Sequence, residues 1–278
     1  MIIFFNIKRG KIEIMIKKVE VASVTRLTSV SIILIAGMLL SGFYAPAGWD
    51  WFLVIILMIG FVFSLGKSIT GSFFGIFVSE VNRMSLSRFQ LVLWTLIVLS
   101  AFLTIALKRV AAGVTDPLAI ALPEQLWLLL GISTTALVGT PLILKNKEKK
   151  EPAAKFIKKA EDRAVKSEQI TSEVFKDNVK IYGIRAVNED KKEAKFTDMF
   201  TGEELINSHI IDVAKVQMFF FTLLIALSYM ILLLKLIRTA DPAVIDSFPA
   251  LSDGIVALLG ISSGGYLTSK AIDQTPTA

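Results

Sequence analysis

The chain contains no cysteine and only one histidine, His209, among its 278 residues. The lack of cysteine excludes disulfides, thiolate metal sites and cysteine nucleophiles, and a single histidine excludes a multi-histidine metal centre built from one chain. His209 lies close in sequence to Glu204 and Asp212, but three polar side chains on a predicted helix are typical of a solvated face. There is no glycine-rich phosphate-binding loop of the Walker type. We therefore predict no metal, no other cofactor and no enzymatic activity.

Charge is also absent from several long stretches of this sequence. A helix needs about 20 apolar residues to cross the hydrocarbon core of a bilayer. The uncharged stretches are Leu27–Trp49, Trp51–Gly66, Phe89–Leu107, Leu126–Leu144, Val216–Leu234 and Gly254–Ser269. Because the second and the last are short, five or seven spans also remain open. We predict an all-α polytopic membrane protein with about six transmembrane helices.

Two parts of the chain carry nearly the same pattern. The first has Arg88-Phe89-Gln90, Trp94-Thr95, Asp116-Pro117 and Leu130-Gly131-Ile132-Ser133, and the second has Lys215-Val216-Gln217, Phe221-Thr222, Asp241-Pro242 and Leu259-Gly260-Ile261-Ser262. Each part has the pattern of two apolar helices joined by a polar loop, and an internal repeat of this kind indicates a duplicated unit. We therefore predict a duplicated transmembrane hairpin, formed by residues 89–144 and 216–271.

The remaining residues divide around this repeat. Residues 1–26 form a basic segment, 27–66 a first transmembrane hairpin, 67–88 a cytoplasmic or interfacial linker, 145–215 a charged segment and 272–278 a tail. Within the linker, Ser68–Ser79 is uncharged but only 12 residues long, too short to span a bilayer. It is either an interfacial or re-entrant helix, with Gly71, Gly75 and Ser79 on one face, or the ragged end of the second span.

Lysine and arginine lie mainly on one predicted side of the membrane. They occur before the first span, between spans two and three, and directly after span four, while the loop after the first span has none. Positive residues near span ends stay cytoplasmic, so we predict an inner-membrane protein with both termini and residues 145–215 in the cytoplasm. The two hairpins are then parallel copies, related by an axis along the membrane normal.

The first span has an alternative interpretation. A basic region, an apolar stretch and Ala45-Pro46-Ala47 resemble a secretory signal with its cleavage site. A second span would follow the cut almost at once, so we expect the first span to be retained.

The segment 145–215 is rich in charge, with 16 Lys and Arg and 14 Asp and Glu in 71 residues. So little apolar surface does not favour independent folding. Within it we predict a helix from Pro152 to about Ile170, a short strand at Val179–Arg185, and a helical turn at Thr197–Glu204 with Thr197 as its N-cap. A further helix is expected to run from about Ile206 straight into the fifth span.

Small residues recur every four positions in the last helix of each hairpin. Span four carries Gly131, Thr135 and Gly139, span six carries Gly260, Gly264 and Thr268, and Ser133 and Ser262 lie two positions after the first glycine of each stripe. Small residues allow membrane helices to approach closely and to form interhelical hydrogen bonds. We interpret the stripes as packing surfaces within or between subunits. In the alternative, hydroxyl groups such as those of Ser133, Thr134, Ser262 and Ser263 line a pore.

Two further sets of residues recur at the ends of the hairpins. Arg88 with Gln90, and Lys215 with Gln217, lie where each hairpin begins, and we predict that they anchor the helices at the membrane interface. Acidic residues mark the outer loops: Asp116, Glu124, Asp241, Asp246 and Asp253. They are either solvated loop ends or, in an oligomer, an acidic mouth that attracts cations.

The predicted function follows from what the spans contain. They lack charged residues near their middles, which argues against a proton-coupled carrier but leaves a channel possible. We expect a homo-oligomeric channel or pore-like transport protein that contacts membrane lipids. The alternative is a membrane sensor or scaffold that binds a cytosolic protein through residues 145–215. We attribute the net charge of +6 to topology and anionic lipid rather than to nucleic acid.

Overall fold

The computed structural model describes residues 27–46, 48–166 and 171–277. This part of the chain forms eight α-helices and no β-strand, with four short 3-10 turns between helices. The helices are α1 (Leu27–Tyr44), α2 (Trp49–Thr70), α3 (Leu86–Ala111), α4 (Glu124–Glu148), α5 (Ala154–Lys166), α6 (Ser172–Tyr182), α7 (Val213–Thr239) and α8 (Asp253–Ala271). The basic residues of 1–26, and the Ala47 that completes the signal-like motif, lie outside the described residues.

Five of these helices, α1, α2, α3, α4 and α7, are long and apolar enough to cross a membrane. The chain is therefore an all-helical protein with the helices of a membrane protein, as the uncharged stretches predict. The sixth expected span is a helix, α8, of 19 residues, but it is not apolar enough to be counted with these five. Its glycine and serine residues, such as Ser262, Ser263 and Gly264, lower its hydropathy.

Four helices form the centre of the molecule. Helix α3 packs against α4 and α7, and α8 packs against the same two helices. Buried aromatic side chains fill the space between them, with Trp94 of α3 and Tyr229 of α7 having ring centroids 6.3 Å apart. Helix α2 packs on α3, where the Trp51 indole donates a 2.9 Å hydrogen bond to the Ser100 hydroxyl. The burial of these apolar surfaces positions the ends of all four central helices.

One end of the bundle, here called the loop end, is formed by the α3–α4 loop (112–123) and the α7–α8 loop (240–252). The two loops contact each other directly: the Ala121 amide donates to the Asp246 carbonyl over 2.7 Å, and the Phe248 amide donates to the Ala121 carbonyl over 3.0 Å. Backbone polar groups need hydrogen-bond partners, and this pairing provides them for backbone groups of both loops.

The opposite end, here called the segment end, is covered by residues 145–212. Helices α5 and α6 pack on each other there, and Gly183 ends α6 with a φ of 58°. A Cβ at Gly183 would lie 2.5 Å from the Lys147 carbonyl oxygen, so only glycine fits this approach. The segment thus folds against the membrane helices, and the last residues of the chain join it through an Ala153–Pro276 backbone hydrogen bond of 3.0 Å.

Three local predictions for this segment are wrong, while the helix predicted after Pro152 is confirmed as α5 over its described residues. Val179–Arg185 is not a strand, because Val179–Tyr182 completes α6. Thr197 is not an N-cap, since the turn is Phe196–Phe200 and Asp198 accepts a 2.8 Å hydrogen bond from the Lys195 amide. No helix runs from Ile206 into α7, because turns continue to Asp212, whose carboxylate accepts hydrogen bonds from the first α7 amides.

The linker before α3 also differs from the predicted interfacial helix. Helix α2 continues to Thr70 and ends at Gly71 in the left-handed conformation, with a φ of 77°. Gly71, Gly75 and Ser79 therefore do not share one helical face, because only a 3-10 turn (Gly75–Phe77) and bends follow. The exposed side chains of Phe73 and Phe74 project from this loop.

Candidate functional site

A buried cluster of charged side chains at the segment end joins the helices to the charged segment. Its centre is Glu203, whose carboxylate oxygen Oε1 lies 2.7 Å from the Lys215 ammonium and 2.8 Å from the Lys270 ammonium. Lys215 begins α7 and Lys270 ends α8, and both are buried, with exposed fractions of 1% and 4%. Burial alone raises the pKa of the Glu203 carboxyl, but Lys215, Lys270 and Arg83 together hold that pKa well below its usual value.

A second buried pair lies beside the first. Glu204 and Lys147, at the end of α4, form an ion pair in which both side chains are buried. The Glu204 carboxylate also accepts hydrogen bonds from the backbone amides of Gln274, at 3.0 Å, and Thr275, at 2.5 Å. Lys147 in turn donates to the Ile272 carbonyl over 2.9 Å. The tail is therefore held at the segment end by charge-assisted hydrogen bonds.

Two buried arginines complete this arrangement. Arg83 donates to the Gly202 carbonyl and to the Thr201 hydroxyl, each over 2.7 Å. Arg185 forms ion pairs with Glu148 of α4 and, over 3.3 Å, with Glu80. Partial burial raises the pKa of the Glu80 carboxyl, but backbone hydrogen bonding and the nearby Arg185 together lower it by more. The pKa of Glu80 therefore lies below its usual value.

An open groove runs from this cluster between α3 and α4. Its volume is about 620 Å³, within the range of roughly 300–1,000 Å³ typical of ligand sites. Apolar residues of both helices line the part toward the middle of the bundle, and charged residues line the part at the segment end. Glu203 and Lys270 contribute to its charged wall.

The basic residues and glutamines that begin the two hairpins do not occupy equivalent environments. Lys215 is buried against Glu203, with an exposed fraction of 1%, whereas the anchoring role expected for it needs an exposed ammonium group. Gln90 is buried and donates a 2.5 Å hydrogen bond to the Thr222 hydroxyl of α7. Gln217 is exposed and Arg88 is half-buried, so of the four predicted anchors only these two have accessible side chains.

The small-residue stripes face mainly outward. Gly131, Thr135, Gly264 and Thr268 are exposed, and a Cβ at Gly131 or Gly264 would meet no atom within 4 Å. Within the chain, Gly139 faces Leu267 and Gly260 faces Ile132, at 3.6 and 3.7 Å from a built Cβ. The stripes are therefore only partly used for packing between α4 and α8.

The hydroxyl groups considered for a pore divide in the same way. Ser133, Ser262 and Ser263 are buried within the bundle, while Thr134 is exposed and donates to the Leu130 carbonyl over 2.8 Å. The buried serines do not face solvent in a single chain, and the Ser262 hydroxyl has no hydrogen-bond partner among the described residues. Other buried hydroxyls pair across helices, as Ser87 does with Tyr266 over 2.8 Å.

The five acidic residues predicted for an acidic mouth are all exposed: Asp116, Glu124, Asp241, Asp246 and Asp253. Asp253 accepts a 2.9 Å hydrogen bond from Gln125, and Asp241 caps a 3-10 turn through the Ala243 amide at 3.0 Å. Asp246 accepts a 3.0 Å hydrogen bond from the Ser247 hydroxyl, so three of these carboxylates have local structural partners. No group of three or more metal-ligating side chains occurs in the described ranges.

Buried charges at the loop end were not anticipated from the sequence. Asp50 is completely buried and pairs with Lys108 of α3 over 2.5 Å. The neighbouring Arg109 is also buried, and it donates to the Asp116 carbonyl over 3.0 Å and to the Ile245 carbonyl. The sequence gives one signal for these buried charges. Asp50, Lys108 and Arg109 lie at the edges of uncharged stretches, where helices end and loops begin.

A polar cleft of about 650 Å³ lies within the charged segment, lined by residues of α5, α6 and 186–209. His209 is at its edge, and its Nδ1 lies 2.8 Å from an Arg163 guanidinium nitrogen. Arginine has no acceptor, so Arg163 donates to an unprotonated ring nitrogen. The pKa of His209 lies below its usual value, mainly because of burial and also because of the nearby charges of Arg163 and Lys159. Glu204 and Asp212 accept hydrogen bonds from the backbone amides of Gln274 and Ala214 instead.

Comparison of the chain with protein-family models, with curated proteins and with solved structures finds no match. Its function is therefore inferred from the geometry of its own residues.

Proposed function

We propose that this chain is an inner-membrane protein that assembles into a homo-oligomeric channel or pore-like transport protein. The observation that supports oligomerisation best is the outward position of Gly131, Thr135, Gly264 and Thr268. In lipid, close helix packing depends on small residues. A stripe that its own chain leaves uncovered is suited to packing against another copy.

The duplicated hairpin supports a pseudo-symmetric core for this assembly. Helix α3 lies beside α7 and α4 beside α8, so each helix contacts its counterpart in the other hairpin. Ser133 and Ser262, at matching positions, are both buried. In our proposal α8 is the sixth span, and its low hydropathy reflects contact with protein or water rather than with lipid.

The proposed orientation places the segment end in the cytoplasm, with both termini there. It is supported by the concentration of lysine and arginine in residues 145–215. Because the chain has no cysteine, single cysteines report sidedness without a background signal. Asp116→Cys and Asp246→Cys should react with an impermeant thiol reagent added to intact cells, and Asp162→Cys should not. The reverse labelling would contradict the orientation.

Cations are the first species to test. The exposed carboxylates at the loop end would form a ring in a symmetric oligomer, and acidic rings favour cations. Purified protein in liposomes should pass K⁺ or Na⁺ down a gradient, measured with an ion-sensitive dye. A folded, reconstituted oligomer that gives no flux under any salt or voltage gradient would overturn the channel proposal.

Oligomerisation has its own test. Gly264→Ile should lower the mass of the detergent-solubilised particle, measured by light scattering, because it adds bulk to an uncovered small-residue face. Ser228→Ile is the matched control, since Ser228 is an exposed small residue on α7, away from the stripes. A monomeric wild-type protein, or an equal response of both variants, would contradict the role of the stripe.

A sensor or scaffold is the second candidate, favoured by the polar cleft of about 650 Å³ in the charged segment. A cytosolic partner would bind there, and the membrane helices would anchor the complex. The double substitution Arg163→Glu and Lys195→Glu reverses two charges lining the cleft. Loss of a stoichiometric co-purifying protein, with no ion flux from the wild type, would favour this function over the channel.

A further inference from the structure

The groove between α3 and α4 has two chemically different halves. Leu91 and Val92 of α3 and Leu137 and Leu142 of α4 line its apolar part. Leu137 and Lys145 mark its extent along α4, and eight residues at about 1.5 Å each give roughly 12 Å of depth. Leu142 is exposed to an extent of 64%, so the apolar part is open to the outer surface of the bundle. In a bilayer, the part of that surface that a second copy does not cover faces lipid.

Pro141 interrupts the wall of this groove. It lies inside α4 and lines the cavity together with Leu137. Proline has no amide hydrogen, so it cannot donate to the Leu137 carbonyl, and its ring crowds the preceding turn. The helix therefore packs less closely at the place where the groove lies.

The charged part of the groove carries an excess of positive charge. It is lined by the cations Arg88, Lys145, Arg185 and Lys270, against the two carboxylates Glu80 and Glu203. Arg185 and Lys270 are paired with those carboxylates. Arg88 lies near enough to Glu80 to help lower the pKa of that carboxyl, but neither Arg88 nor Lys145 forms a salt bridge with a side chain in the described part of the chain, and both line the groove. Two cations thus remain available to an anion.

We propose that this groove binds one anionic membrane phospholipid. Its phosphate lies between Arg88 and Lys145, and an acyl chain follows the apolar walls of α3 and α4. Guanidinium and ammonium groups are the usual phosphate-binding side chains. A cavity about 12 Å deep is shorter than an extended acyl chain, so the end of the chain continues into the bilayer through the open side. A soluble anion would leave the apolar half unused.

The headgroup half of the proposal is tested by native mass spectrometry of delipidated protein titrated with dioleoyl phosphatidylglycerol or dioleoyl phosphatidylcholine. The wild type should bind one phosphatidylglycerol with about tenfold preference, as expected for charge-assisted hydrogen bonds. The double variant Arg88→Gln and Lys145→Gln should lose the preference. The control, Lys149→Gln with Lys155→Gln, removes two exposed cations outside the groove and should retain it.

The apolar half is tested with a pair of tryptophan substitutions on α4. Leu142→Trp fills the groove and should weaken phosphatidylglycerol binding about tenfold, while Leu128→Trp, at an exposed leucine outside the groove, should not. Both variants are compared at equal recovery of folded protein in size-exclusion chromatography. Glycerol 3-phosphate should not compete with the lipid.

The lipid site would be overturned if the wild type bound the two lipids equally, or if the control pair lost the preference for phosphatidylglycerol as the Arg88 and Lys145 variant does. Equal effects of the two tryptophan substitutions would also overturn it. Competition by glycerol 3-phosphate would indicate a site for a soluble anion instead. The readout is binding alone, so it is independent of whether the protein conducts ions.

Discussion

The carboxylate of Glu203, in the segment between the two hairpins, lies 2.8 Å from the ammonium group of Lys270 at the end of α8. The same oxygen lies 2.7 Å from the ammonium of Lys215 at the start of α7. One acidic side chain therefore pairs with cations from both helices of the second hairpin, and both of these cations are buried. Removing one partner of a buried ion pair lowers the stability of the folded protein strongly, because it leaves a buried charge without a counter-charge.

Glu203→Gln should therefore destabilise the protein strongly. Two buried ammonium groups would lose their shared counter-charge, and breaking a buried pair typically costs about 3–5 kcal/mol. A large drop in the melting temperature in detergent is expected, measured by intrinsic fluorescence. Glu151→Gln removes an exposed carboxylate and should have almost no effect. Similar melting temperatures for the two variants would show that the cluster contributes little.

Acid should weaken the same cluster. Because the pKa of Glu203 is lower in the folded protein than its usual 4.5, its stabilisation is present above that value and is lost as pH falls through the lower, folded value. The pKa of Glu80 is shifted in the same direction. The difference in melting temperature between wild type and Glu203→Gln should be constant above pH 4.5 and should shrink below it. A gap that widens in acid would contradict the assigned shift.

His209 should titrate below its usual pKa of 6.5. Burial and the neighbouring cations disfavour its protonated form, and the hydrogen bond from Arg163 requires a neutral ring. Because the chain has one histidine, its ring protons can be followed without ambiguity by NMR. Arg163→Gln should raise the pKa, whereas Lys158→Gln on the same helix should leave it nearly unchanged. An unshifted pKa in Arg163→Gln would contradict the contact.

Arg109 should hold the two loops of the loop end in place. It donates to carbonyls of both loops, at Asp116 and Ile245, and hydrogen bonds to charged groups contribute about 1.5–3 kcal/mol each. Arg109→Gln should therefore speed amide hydrogen exchange in residues 112–122 and 241–252. Lys235→Gln, which removes an exposed cation near the end of α7, is the control. Exchange that is equally slow in both variants would exclude this role.

The positions of the long helices follow from the sequence because uncharged stretches in a membrane protein have few alternatives to a helix. The predicted span starting at Phe89 begins at Leu86 in α3, and the one starting at Val216 begins at Val213 in α7. The limits of the charged segment are harder to predict. Its folding depends on Gly183 and on contacts with helix ends far away in sequence, which no local pattern specifies.

The environments of individual residues were less predictable than the helices. Arg88 and Lys215 have the same local pattern, yet only Lys215 is buried. The difference lies in Glu203, which the turns before α7 bring next to Lys215. Likewise Gln90 finds the Thr222 hydroxyl while Gln217 stays exposed. Partners of this kind depend on the packing of the two hairpins, which hydropathy does not record.

The hydrogen bonds between Glu204 and the tail also constrain how the protein is made. The Thr275 amide that binds the Glu204 carboxylate is 71 residues further along the chain. During synthesis, Glu204 and Lys147 emerge before α7 and α8 have been translated. The segment end can therefore close only after translation of both hairpins and of the tail.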